Sequence, residues 1–140
     1  MVAMILKYGR DLAEHQAKGL VKDAVITVPS YFNQEQRSMM ITAAELAGLK
    51  VEQLVHENTA AATMYGIDRI DDEKDLYVMY YNMGGRDTEV SVVRYSVVVD
   101  AKNKTTEYVE IMGEGYDETL GGKEFDHVLV NILADEFNSM

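Results

Sequence analysis

The sequence contains no cysteine and no tryptophan, one proline and only three phenylalanines. Without a thiol there is neither a disulfide framework nor a cysteine nucleophile, so both chemistries are excluded, and the redox compartment is left unread. Basic residues are scarce as well: 13 Lys and Arg stand against 24 Asp and Glu, a formal net charge of -11. A surface of that sign repels nucleic acid and anionic membranes unless a basic patch intervenes, and here the Lys and Arg residues are scattered. Neither is an expected partner. Long apolar runs are missing too, since Met1-Val2-Ala3-Met4-Ile5-Leu6 soon meets Lys7, Arg10 and Asp11. That is far short of the ~20 apolar residues a spanning helix needs. No second histidine lies at ligand spacing from His56, so no metal site formed by side chains alone is expected.

What is present suits one globular core: 140 residues, of which 47% are hydrophobic. Met1, Met4, Ile5, Tyr8 and Leu12 fall on one helical stripe, so the chain opens inside an established helix, as a piece of a longer protein would. Asp23 to Val28 reads as a buried strand ended by Pro29. Asn33 and Gln36 have capping-box spacing for a helix through Ala47, with Gly48 as its stop. Val51 to Val55 reads as a strand and Thr59 to Tyr65 as a helix ended by Gly66. The acidic run Asp68 to Asp75 is a solvated connector, the expected boundary between a part spanning 1–70 and a part spanning 71–140.

Beyond the connector the period changes. Leu76 to Tyr81, Thr88 to Val99 and Thr105 to Met112 are rich in β-branched and aromatic residues, with Lys102-Asn103-Lys104 as the turn between the last two. Gly121-Gly122 precedes a helix whose apolar side carries Phe125, Val128, Leu129, Ile132, Leu133 and Phe137. Between the first two strands lies Asn82-Met83-Gly84-Gly85-Arg86-Asp87-Thr88-Glu89. A glycine pair after a strand lets a phosphate approach exposed N–H groups; on spacing alone it is more often a plain hairpin turn.

Three further landmarks accompany that loop: Val28-Pro29-Ser30-Tyr31-Phe32-Asn33 with Gln36-Arg37, Glu57-Asn58-Thr59-Ala60-Ala61-Ala62 with Tyr65-Gly66, and Leu120-Gly121-Gly122-Lys123-Glu124-Phe125-Asp126. In this order the four motifs resemble the ATPase domain of the seventy-kilodalton heat-shock (DnaK-like) chaperones, and the resemblance covers essentially the whole chain. It implies an α/β, actin-like (ribonuclease-H-like) ATPase fold in part: the end of the first lobe and the start of the second. Tyr81-Asn82-Met83-Gly84 and Asn58 resemble the large divergent branch, the hundred-and-ten-kilodalton heat-shock proteins and their glucose-regulated relatives of the endoplasmic reticulum.

The resemblance also implies roles, position by position. Glu57 and Asn82 take the catalytic places, with Glu57 holding a magnesium-bound water shell and Glu89 serving the ions through water. Gly84, Gly85, Arg86, Asp87 and Thr88 take the places that cradle the γ-phosphate of ATP or ADP, and Pro29 with Arg37 those that relay nucleotide state. Three positions depart from the pattern: Asn82 replaces an aspartate, Arg86 a third glycine, and Asp87 a threonine for which Thr88 could substitute after a one-residue shift. An amide cannot accept a proton, so hydrolysis is expected to be weak. Gln53 and His56 replace residues used towards J-domain partners, and His56 reads as a solvent-facing strand end. The implied function is that of a chaperone's ATP-binding domain, a holdase and nucleotide-exchange factor working on unfolded clients beside a standard heat-shock-70 chaperone. The alternatives are a standard family ATPase or a non-catalytic interaction module. The implied compartment is the endoplasmic reticulum lumen, supported by the sequon Asn103-Lys104-Thr105, with the cytoplasm as alternative. The isolated piece is expected to self-associate through exposed edges.

Overall fold

The element order in the computed structural model is α-β-α-β-α followed by β-β-β-α, and the structure describes residues 1–66, 69, 74–99 and 105–139. The elements are α1 (Val2–Ala17), β1 (Asp23–Val28), α2 (Gln34–Leu46), β2 (Lys50–His56), α3 (Glu57–Gly66), β3 (Leu76–Met83), β4 (Thr88–Val99), β5 (Thr105–Asp117) and α4 (Gly122–Ser139). They form two compact units, Met1–Glu57 and Asn58–Met140. Most of the acidic run, the turn at Lys102-Asn103-Lys104, and the first two residues of the sequon lie outside the described residues.

In the first unit β1 and β2 pair in parallel, with Val28 opposite His56. Parallel neighbours require a crossover, which α2 supplies. Its start is the capping box that the sequence predicts: Gln36 N–H donates to Asn33 Oδ1 and Asn33 N–H to Gln36 Oε1, both at 2.9 Å. Its end is a turn through Gly48 at φ 78°, a left-handed conformation that favours glycine. A Cβ there would also collide with Arg10 Nη1, which donates to the Ala47 carbonyl at 2.6 Å. α1 is thus fastened to the end of α2 by a cation on a carbonyl that the helix cannot itself satisfy.

The second unit contains the antiparallel sheet β3-β4-β5. Side chains alternate along a strand, so Glu89, Ser91, Val93 and Tyr95 share one face of β4, and all four are buried. α3 covers that face. Tyr95 O–H donates to the Ala62 carbonyl at 2.7 Å, and Asn58 Nδ2 donates to Ser91 Oγ at 3.0 Å. Ala62, Val93 and Tyr95 form the core, with Leu76, Val78 and Tyr80 packed against it. Gly66 is forced by the same packing, because a Cβ would lie 2.5 Å from Tyr95 Cε1. Burial, aided by the Tyr80 hydroxyl, pushes the Tyr95 phenol well above its ordinary pKa, so it stays a neutral donor.

The larger differences from the sequence expectation lie in β3, α3 and β5, β3 running two residues past Tyr81 to Met83. α3 begins at Glu57, two residues early, where a carboxylate in the first turn complements the helix macrodipole. β5 runs five residues past Met112, because β4 is long enough to keep pairing with Gly113 through Asp117 despite the two glycines. A bulge accommodates this: Val93 faces Ile111 and Val92 faces Gly113, leaving Met112 without a partner across the ladder. The apolar stripe of α4 is present as read, yet Phe125, Val128, Leu129, Ile132, Leu133 and Phe137 are each more than half exposed.

The Tyr95 tie yields a stability prediction. Tyr95→Phe keeps the ring and removes the hydroxyl, taking one donor from the Ala62 carbonyl and the partner from the Tyr80 hydroxyl, which should cost about 0.5–1.5 kcal/mol. Urea unfolding should show a lower midpoint with an unchanged slope. A midpoint equal to wild type would mean the hydroxyl adds nothing to the α3 contact.

Candidate functional site

The glycine loop is built as a hairpin tip. Asn82 lies directly opposite Glu89 in the ladder, Met83 opposite Thr88, and Gly84 N–H donates to the Asp87 carbonyl at 2.9 Å to close the turn. Neither Gly84 nor Gly85 has positive φ, so left-handed backbone is not what demands them. Space is the difference between them. A Cβ on Gly84 would stand 3.0 Å from Asp87 Oδ1, whereas one on Gly85 would meet nothing within 4 Å. The Asp87 carboxylate is therefore folded against Gly84, and the approach to Gly85 is open.

Beneath the tip, Asn82 and Glu89 are cross-strand neighbours and so share a face, with Cβ atoms about 5 Å apart. It is the face that α3 covers further along the sheet. Glu89 is only 2% exposed, an unusual position for a carboxylate, whose removal from water must be offset by contacts within the protein. Asn82 is half-buried beside it. The structure thus brings together Asn82, Gly84, Gly85, Arg86, Asp87, Thr88 and Glu89 within the second unit.

The tip is held from behind by the turn before α4. Gly122 N–H donates to the Gly84 carbonyl at 3.0 Å and Lys123 N–H to the Gly85 carbonyl at 2.9 Å, so two N–H groups that a helix start leaves unpaired are satisfied by the loop. Thr88 is buried, and its hydroxyl donates to the Leu120 carbonyl at 2.6 Å. Its proton is committed to this contact, while its lone pairs remain acceptors. Gly121 has no room for a side chain: a Cβ would lie 2.5 to 2.7 Å from the backbone of Arg86. The sequence offered one sign of this, the second glycine pair, but not what it touches.

Glu57 closes the first unit, half-buried in the first turn of α3 directly after β2. Pro29 follows β1, and Arg37 braces the loop beyond it, donating from Nε to the Phe32 carbonyl at 2.8 Å and from Nη2 to the Ser30 carbonyl at 3.2 Å. The same Nη2 lies 3.1 Å from His56 Nε2. An arginine can only donate, so this geometry makes Nε2 the acceptor and places the ring proton on Nδ1. His56 is therefore half-buried and engaged, not solvent-facing as the sequence suggests. Among the described residues no group of three or more His, Cys, Asp or Glu is placed to hold a metal ion. The oxygen donors of Glu57, Glu89 and Asn82 are the type that a hard cation accepts, directly or through water.

Known proteins are similar to this chain over nearly its whole length. The family described as Hsp70 protein matches residues 1–140. Hypoxia up-regulated protein 1 of Xenopus laevis is 44% identical over 143 residues, a match covering 99% of this chain and 22% of that protein. The protein of the same name from Danio rerio is 44% identical over 140 residues, covering 99% of this chain and 14% of its own length. That of Homo sapiens is 42% identical over 143 residues, again 99% and 14%. The chain thus spans between 14% and 22% of the length of these relatives.

The turn that leads into α4 carries a pH prediction. Asp117 Oδ1 accepts from the Thr119 hydroxyl at 2.7 Å and from Thr119 N–H at 2.8 Å. These bonds favour the ionised form and hold the Asp117 carboxyl below its ordinary value of 3.8. A depressed folded-state pKa stabilises the turn above the ordinary carboxylate range, and that support is lost as pH falls through the lowered value. The Thr119 amide resonance should titrate with a midpoint below 3.8. A midpoint at or above it would show that the turn does not hold the carboxylate.

Proposed function

The chain belongs to the Hsp70 protein family as a fragment of its actin-like ATPase domain, and from that membership we propose that it forms the centre of a nucleotide site in a large chaperone of that family. The observation that carries this reading is the Asn82–Glu89 pair set beneath a hairpin tip whose Gly85 is open to solvent. Polar groups buried at a fixed spacing beside a bare backbone turn are what recognition of a phosphate with its hard cation requires.

In this proposal residues 1–70 belong to the first lobe and 71–140 to the second, a division of the parent domain. Magnesium and nucleotide would supply the phosphorus electrophile and the neutralising charge when bound. Gly84 and Gly85 leave the tip without side chains where the γ-phosphate approaches, the Gly84 N–H itself being bonded to the Asp87 carbonyl; Thr88 anchors the loop from below, and Arg86 adds a cation at the tip. Glu89 offers a carboxylate to the hydrated cation, and Glu57 keeps the catalytic place that its motif implies. Asn82 orients the attacking water through its amide but takes no proton from it, so the electrostatic share of the barrier reduction falls. Pro29 and Arg37, braced on the loop after β1, form the relay towards the rest of the chaperone.

The resulting role is a holdase and nucleotide-exchange factor, with weak hydrolysis, acting on unfolded clients beside a standard heat-shock-70 partner in the endoplasmic reticulum lumen. Similarity to the hypoxia up-regulated proteins supports this branch over a standard family ATPase. A second reading, a non-catalytic interaction module, is favoured by one observation: the Asp87 carboxylate rests against Gly84, where it would oppose a phosphate. The exposed stripes of α1 and α4 further support self-association of the isolated piece.

Two substitutions in the full-length protein separate the readings. Asn82→Asp should raise single-turnover ATP hydrolysis, since a restored general-base or water-positioning group is typically worth about 10²-fold or more, with Arg86 and Asp87 beside the γ-phosphate limiting the gain. Glu57→Gln should weaken magnesium-dependent nucleotide binding. A wild type that already turns over at a standard chaperone's rate, unaltered by Asn82→Asp, would remove the basis for the divergent-branch mechanism. Absence of any ATP binding by the wild type would favour the interaction module.

A further inference from the structure

Leu120-Gly121-Gly122-Lys123 is the one motif of the chain to which no chemistry has been assigned, and the geometry points to a role for it. We infer that this turn is the clamp that sets the conformation of the loop Gly84–Asp87, with Gly121 and Thr88 as its positioning residues. Four observations converge on it. The Gly84 and Gly85 carbonyls are both taken by the first N–H groups of α4, at 3.0 and 2.9 Å. The Thr88 hydroxyl reaches across to the Leu120 carbonyl at 2.6 Å. Gly121 lies so near the Arg86 backbone that any Cβ would stand within 2.7 Å of three of its atoms. Gly122 is also within van der Waals range, since its Cβ would meet Gly85 Cα at 3.7 Å.

These contacts fix the peptide planes of the tip. A carbonyl held by the helix cannot rotate, so the N–H on the other side of that peptide plane is held in one direction too, because the peptide unit is planar. The turn therefore decides where the loop's donors point. The N-terminus of α4 is not itself an anion site in this arrangement: the N–H groups of Gly122 and Lys123 are already bonded to carbonyls. What it contributes is order in a neighbouring loop, which would otherwise lose conformational freedom only on meeting a ligand. That the loop receives a phosphate rests on the function proposed above; that the turn sets its conformation does not.

Hydrogen exchange on the full-length protein tests the clamp without nucleotide. Gly121→Ala should raise amide exchange in segments 84–88 and 120–124 by about tenfold or more, while the core strand around Val93 and Tyr95 keeps its protection. Gly113→Ala, where a Cβ meets nothing within 4 Å, is the matched control and should leave both segments protected. Thr88→Val should also release segment 84–88, and Thr88→Ser, which restores the hydroxyl, should return its protection; a role in space-filling alone would not distinguish the two. If Gly121→Ala unfolds the protein, the comparison of Thr88→Val with Thr88→Ser decides the matter. Unchanged exchange at 84–88 in the variants overturns the inference. A parallel titration with magnesium and ATP reads the other question: release of the loop with weaker binding supports both proposals, whereas release in a wild-type background that never binds ATP sinks the nucleotide reading and leaves the clamp standing.

Discussion

Backbone carbonyls at the ends of elements govern how this chain is assembled. Helices and hairpins leave such groups unpaired, and a buried or half-buried one is costly unless a donor reaches it. Few side chains are fully buried, so apolar packing alone does not fasten the pieces. Donors to such carbonyls supply much of the fastening: Arg10 to Ala47, Arg37 to Ser30 and Phe32, Thr88 to Leu120, and the start of α4 to Gly84 and Gly85, while Tyr95 adds a donor to the Ala62 carbonyl within α3. Each joins segments that are apart in sequence or turns that would otherwise open. The candidate site inherits its shape from them, since the tip above Asn82 and Glu89 and the loop beyond Pro29 are both held this way.

The counterpart of this sparse burial is surface. The chain exposes 10414 Å². A self-contained globular protein of 15.7 kDa would expose about 7000 Å², and even two separate bodies of these sizes would expose only about 9000 Å². Exposed apolar side chains stand on the stripes of α1 and α4 and along β5. The excess accompanies a match to only 14% to 22% of the relatives' lengths.

Much of the local structure was legible in the sequence because local rules decide it. The Asn33 and Gln36 capping box, the strand end at Pro29, the stop at Gly48 and the β-branched and aromatic runs of β3 and β4 all depend on residues within one turn or one strand, and all are present. The order of the elements was legible for the same reason. What stayed hidden depends on contacts between segments. The burial of Glu89 depends on what packs on its face of the sheet, which α3 covers at Ser91 and Tyr95, and no spacing in β4 encodes such packing. Gly121 reads as a helix-start glycine until Arg86 is found against it. The engagement of His56 needs Arg37, 19 residues away. Of the candidate site, the ladder position of Asn82 and Glu89 was implicit in a hairpin reading of the glycine pair, but the fold of Asp87 onto Gly84 was not.

The bulge at Met112 gives β5 a parity that its sequence alone does not have. Ile111 and Glu114, three positions apart, lie on one face because Val93 and Ser91 opposite them are two apart. A regular strand would send them to opposite faces. The surplus residue acts as a phase shift between the half of β5 that lines the core strand and the half that runs beside Glu89. Loss of Met112 would close the bulge into a regular ladder in which both halves keep their present faces, so at this point the strand can shed one residue without turning any side chain over.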